Sequence, residues 1–199
     1  MDNRIIIGIT MGDPASIGPE ITVKALRDKE LYSKCKPIII GDASVMERAI
    51  ELLNYDMTVN RVDNVKNAMF VPGVIDVYDM KMVDVAKLEY GKVTAEAGEA
   101  AFQYVKKVIE LAMNGMVDAT VTNALNKEAI NLAGHHYSGH TEIYAKMTGS
   151  KSYTMMLSYE NLRVVHVSTH VSLREACDRV KKERVLEVIK IADGVCKNL

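Results

Sequence analysis

The chain has 199 residues, 48% of them hydrophobic, with 25 basic and 26 acidic side chains and a formal net charge of −1. That suffices to bury a sizeable core in one large or two small domains, and the interspersed charges leave no basic tail or stripe for a nucleic-acid backbone or an anionic membrane. Three cysteines, Cys35, Cys177 and Cys196, lack CxxC spacing and argue against a disulfide framework or structural zinc.

In chain order, Ile5–Ile9 reads as a buried strand. A helix follows, opening near Pro19, where a first-turn proline forfeits no hydrogen bond, and continuing through Ile21–Leu26. "PIIIGDAS" repeats the pattern, with a strand at Ile38–Ile40 and a helix over Val45–Leu53. Val74–Tyr78 is a further strand. "TAEAGEAAFQYVKKVIELAMNG" is a long helix with Thr94 as its cap and Gly115 as its stop. "VDATVT" and "LRVVHVST" are two more strands, and Val185–Val195 is a helix. Strands alternating with helices predict an α/β fold, a mostly parallel sheet with flanking helices. Each strand ends in a polar loop, where ligands collect in open sheets of this kind. No apolar run approaches the roughly 20 residues that span a bilayer, and Ile5–Ile7 is too short for a signal-peptide core. The expectation is a soluble protein of the reducing cytoplasm.

The stretch "TMGDPASIGPE" is neither GxGxxG nor a Walker A loop. Taken alone, its glycines permit tight turns, Asp13 makes an Asx turn and Pro19 starts a helix. "SGHTEIYAKMTG" predicts a helix with Thr141 as N-cap, Glu142 in the first turn and Gly149 closing it. His140 and Thr141 then stand where free backbone N–H groups and the helix dipole favour an anion such as phosphate. The plainer reading is a capping threonine beside a part-exposed histidine. His166 and His170 fall four apart on one expected strand, roughly 13 Å from each other, too far to ligate one ion together. His166 lies deeper and reads as a packed core residue. His170 ends the strand just before "SLRE", where Ser172 and Glu175 form a capping box. His135 and His136 read as surface loop residues.

Four stretches, "TMGDPASIGPE", "VTNALNKEAI", "SGHTEIYA" and "MMLSYENLRVVHVSTHVSLREA", run in order through essentially the whole chain. Together they resemble the 4-hydroxythreonine-4-phosphate dehydrogenase family of pyridoxal phosphate biosynthesis and its paralogues acting on other four-carbon acid phosphates. The resemblance implies an isocitrate/isopropylmalate dehydrogenase-like fold in two domains, here residues 1–122 and 123–199, both incomplete. The first stretch becomes an active-cleft loop, similar to the "GDGIGPE" loop of those enzymes. The resemblance further implies substrate binding by His140 and Thr141, a divalent metal (zinc, cobalt or magnesium) ligated by His170, NAD as cofactor, and a homodimer whose active sites draw on both subunits. Asp13, Asn126 and Lys127 fall on cleft loops, where they could orient substrate or cofactor; the plainer readings are an Asx turn for Asp13 and a solvated first-turn residue for Lys127. The implied chemistry is oxidation of a secondary alcohol by NAD, with a metal polarising the alcohol oxygen, then decarboxylation of the 3-keto acid.

The sequence also departs from that family. Motifs like "NPHAGE" and "HDQG", which carry two more metal histidines, are absent, as are the substrate-binding Lys, Asn and Arg that accompany them. A catalytic divalent ion usually takes three protein ligands, so the chain is expected to be an N-terminal portion that is inactive alone. "VTNALNK" has Ala-Leu where many relatives carry an "APINK"-like stretch, which leaves open the substrate within the family. The alternatives are a phosphate-ligand binding module without chemistry, or a regulatory subunit that pairs with a longer partner.

Overall fold

A computed structural model describes residues 2–197. The chain forms two compact units, Met1–Tyr137 and Ser138–Leu199.

The first unit opens with β1 (Ile5–Thr10), α1 (Gly18–Leu26), a short α2 (Leu31–Lys34), β2 (Cys35–Gly41), α3 (Ala43–Leu53), β3 (Thr58–Val62) and β4 (Val74–Asp79). It continues with α4 (Ala95–Met113), β5 (Ala119–Thr122) and α5 (Lys127–Leu132). The five strands form one parallel sheet in the order β3-β4-β2-β1-β5. Strand β2 is central and reads as a continuous apolar run because both its faces are covered: Ile38, Ile39 and Ile40 are fully buried. The sequence expectation of an α/β fold with a parallel sheet and flanking helices describes this unit.

Local chemistry explains the element ends. Pro19 occupies the first turn of α1. Thr94 caps α4 by accepting a hydrogen bond from the Ala97 amide at 3.1 Å, and Gly115, at φ 67°, turns the chain out of it. Helix α5 packs against α4, which carries the first unit on to Tyr137.

The second unit holds α6 (His140–Thr148), an antiparallel hairpin of β6 (Met156–Tyr159) and β7 (Leu162–Val165), α7 (Leu173–Arg179) and α8 (Lys182–Cys196). Gly149 closes α6 in the left-handed region, as its residue type predicts. Three local expectations need correction. The N-cap of α6 is Gly139, so Thr141 lies inside the first turn instead of capping it. The strand expected to carry both His166 and His170 stops at Val165, because its partner β6 begins only at Met156 and offers no ladder for residues 168–170. The Ser172–Glu175 capping box is half made: the Ser172 hydroxyl accepts from the Glu175 amide at 3.3 Å, while the Glu175 carboxylate pairs with Arg179 at 2.6 Å.

Candidate functional site

In the first unit, the carboxyl ends of β1 and β5 meet where the strand order reverses direction, the usual ligand crevice of such sheets. Here that edge is tightly tied. The Asp13 amide donates to the Ala124 carbonyl at 3.0 Å, the Asn123 amide to the Thr10 hydroxyl at 3.1 Å, and the Asn123 side chain to the Thr22 hydroxyl at 2.6 Å. Gly12, at φ 80°, is required at this crossing, since a Cβ on it would stand 2.5 Å from the Ala124 carbonyl oxygen.

Asp13 is 3% exposed, and its Oδ1 accepts from the Ala15 amide at 2.8 Å. That is the Asx turn of the plainer reading, and burial pushes the carboxyl pKa up. Asn126 caps α5, its side-chain oxygen accepting from the amides of Glu128 and Ala129 at 2.9 and 3.1 Å. Lys127 is the exposed first residue of that helix. Each of the three thus has a local structural position.

His135 departs from the surface-loop expectation. Its Nε2 lies 2.6 Å from Glu99 Oε2, and its ring stacks on Phe102 with centroids 3.6 Å apart, which anchors the segment after α5 to α4. His136 is exposed, as expected, with Nδ1 3.3 Å from Asn131 Oδ1.

In the second unit an open cavity of about 830 Å³ is walled by Ser138 and Glu142 from the start of α6, by Thr169 and His170, and by the cations Lys151, Arg179, Lys181 and Arg184. His170 is exposed and sits at φ 57°. This left-handed conformation is uncommon outside glycine, though histidine is among the residues that tolerate it better. A Cβ on Gly139 would come 4.0 Å from His170 Nε2 and 3.6 Å from Glu142 Oε2. The Ser-Gly-His-Thr-Glu stretch and His170, about thirty residues apart in sequence, therefore converge.

His140 itself is half-buried, and its Nε2 is buried without a hydrogen-bond partner, as is Glu142 Oε2. Burial lowers the His140 pKa, which favours the neutral imidazole. His166 is half-buried just beyond β7, with its amide donating to the Met155 carbonyl at 3.0 Å. That makes it a packing residue, although not one inside a strand.

Among the described residues, no group of three or more His, Cys, Asp or Glu side chains is placed to hold a metal ion. His170 is thus a lone imidazole donor on the cavity wall, and the residues present do not form a metal centre by themselves. Sequence reasoning missed Lys151, Arg179, Lys181 and Arg184. The basic run "RVKKER" holds three of them, Arg179, Lys181 and Arg184, and by itself reads as a solvated helix start.

The chain is 45% identical over 199 residues to a Symbiobacterium thermophilum protein provisionally named D-threonate 4-phosphate dehydrogenase, covering 100% of this chain and 59% of that relative. Among solved structures, one from Salmonella typhimurium, provisionally named 4-hydroxythreonine-4-phosphate dehydrogenase, is 43% identical with a TM-score of 0.90, covering 97% of this chain and 60% of that one. The Klebsiella pneumoniae 4-hydroxythreonine-4-phosphate dehydrogenase is 39% identical with a TM-score of 0.90, covering 98% and 59%. The chain spans about three-fifths of the length of these relatives. A family described as pyridoxal phosphate biosynthetic protein PdxA matches residues 33–199. With that match over most of its length, the chain belongs to the PdxA family.

Proposed function

We propose that this chain supplies the substrate-phosphate contacts and one metal donor of a dehydrogenase that oxidises and decarboxylates a phosphorylated four-carbon hydroxy acid. The substrate is 4-hydroxythreonine 4-phosphate or D-threonate 4-phosphate, the two acids that the names of its relatives carry. The observation that carries this reading is the convergence of the start of α6 with His170 at one polar cavity, whose wall carries Lys151, Arg179, Lys181 and Arg184 beside Glu142, Asp178 and Glu187.

His140 and Thr141, in the first turn of α6, bring unpaired backbone N–H groups and a neutral imidazole to the substrate phosphate. His170 offers its imidazole to a divalent metal whose other ligands lie outside these 199 residues. NAD would take the hydride, and the metal would polarise the alcohol oxygen. Asp13 and Asn126 enter this reading as residues that hold their loops in shape, through the Ala15 bond and the cap of α5, and Lys127 as an exposed cation available to orient substrate or cofactor. A homodimer is part of the proposal: Leu157, Tyr159, Leu162 and Val164 of the hairpin are exposed, an apolar surface that a second subunit would cover.

The test is calorimetric titration of the purified chain with both phosphorylated acids and with their dephosphorylated forms, beside an assay for NADH formation with NAD and cobalt, zinc or magnesium. Binding of a phosphorylated acid, lost without the phosphate and weakened in His140→Ala, is the expected result. If neither phosphorylated acid binds, the reading falls. Steady NADH formation by the 199-residue chain would overturn its expected inactivity on its own. Binding without turnover in any longer form of the protein would favour a binding module.

A further inference from the structure

We propose that Arg184 is a positioning residue for His170. Its guanidinium pins the segment bearing His170 to α8 and so sets where the imidazole stands on the cavity wall. The proposal rests on the reading of His170 as a functional group.

The geometry is a three-way fork. Arg184 Nε donates to the Val167 carbonyl at 3.1 Å, one terminal nitrogen donates to the Tyr153 carbonyl at 3.1 Å, and the other to the Glu187 carboxylate at 2.7 Å. The two carbonyls belong to opposite sides of the hairpin's open end, Tyr153 shortly before β6 and Val167 shortly after β7. One side chain of α8 therefore clamps both legs of the hairpin. Among the described residues, no hydrogen bond holds Ser168, Thr169 or His170. The next anchor is Ser172, which caps α7. The segment is strung between Val167 and Ser172, and its left-handed turn at His170 is set by those two fixed ends. The guanidinium spreads these donors over three nitrogens in one fixed plane, whereas a lysine ammonium carries its three on a single nitrogen at the end of a flexible stem.

The test is solution NMR of the 199-residue chain, with the His170 ring resonances and the exchange rate of the His166 amide as readouts. That amide bonds to Met155 at the clamped end of the hairpin. Arg184→Ala and Arg184→Lys should both displace the His170 ring resonances. Both should also speed His166 exchange by about tenfold or more, the scale of a lost hydrogen bond to a charged group. Exchange at the buried Val188 of α8 should hold, as it would not under general unfolding. Lys190→Ala, an exposed residue of α8 outside the cavity wall, should leave all three readouts unchanged.

His170 resonances unmoved in Arg184→Ala would overturn the proposal, and so would full recovery in Arg184→Lys, which would reduce the effect to charge. If the alanine variant does not fold, the lysine variant, which keeps charge and aliphatic stem, carries the test. Addition of Co²⁺ to a longer form of the protein that supplies the remaining ligands separates the two readings. A His170 ring that ignores the ion there removes the metal role while leaving the Arg184 result to stand or fall on its own.

Discussion

The Asp42 carboxylate accepts a hydrogen bond of 2.6 Å from the Val83 amide, and so ties the loop after β4 to the end of β2 inside the first unit. Asp42 is fully buried and its carboxylate faces the buried Tyr104 hydroxyl, although neither Asp42 Oδ1 nor that hydroxyl has a hydrogen bond of regular geometry. Burial raises the Asp42 pKa against the lowering effect of the backbone amides it accepts from.

The pH dependence follows from that direction. Native Asp42 retains a proton that the unfolded chain releases above about pH 3.9. Stability therefore falls as pH rises from there through the raised native pKa. Asp13, raised by the same cause, adds the same sign. Asp42→Asn should remove Asp42's share, so its urea midpoint should fall less than the wild type's between about pH 4 and about pH 7. Parallel midpoint curves for the two proteins would show that Asp42 does not titrate as its burial requires.

Gly98 is where α4 and α5 touch. A Cβ there would stand 2.0 Å from the Ala129 carbonyl oxygen, a backbone atom that no rotamer change can move. Gly98→Ala should therefore destabilise the first unit by about 1–3 kcal/mol, the range for overpacking, despite alanine's better helix propensity. Equilibrium denaturation gives the value, and a neutral or stabilising result would mean that the two helices separate at no cost.

His135 joins α4 to the segment after α5 through its stack on Phe102 and its contact with Glu99. The Glu99 side chain is 38% exposed, so the ionic part of the contact counts for little and the stack and hydrogen bond carry the stabilisation. His135→Ala should cost about 1–2 kcal/mol. His135→Phe should recover the stacking share. If the phenylalanine variant is as unstable as alanine, the ring contact is not what holds the segment.

His140 and His170 should fail in different ways in an active enzyme that carries this segment. His140→Ala should chiefly raise KM, because a non-reacting phosphate supplies mostly uniform binding. His170→Ala should lower kcat and the content of divalent metal together. His166→Ala, which removes a half-buried ring outside the proposed site, should lower stability by about 1–3 kcal/mol and leave activity per folded molecule largely intact. Loss of metal in the His166 variant with retention in the His170 variant would reverse the assignment of the two histidines.

The sequence by itself determined the parts whose stabilising partners are local or generic. The apolar run of β2 requires cover on both faces, the periodicity of α4 with its Thr94 cap and Gly115 stop defines a helix, and Pro19 and Gly149 mark helix ends through backbone chemistry alone. The tertiary structure decided everything that depends on a partner distant in the chain. Strand β3, "TVNRV", carries polar residues that its edge position tolerates, and only pairing with β4 makes it a strand. Strand β7 stops at Val165 because β6 supplies no further ladder, which removes His166 and His170 from a common strand. Gly139 displaces Thr141 as the cap of α6, and His135 is held by Glu99 and Phe102 from a different helix. Residue types announced His140, Thr141 and His170 as candidates. The cavity that joins Ser138, Glu142 and His170 to Lys151 and Arg184 exists only because folding brings these separated segments within hydrogen-bonding and van der Waals reach.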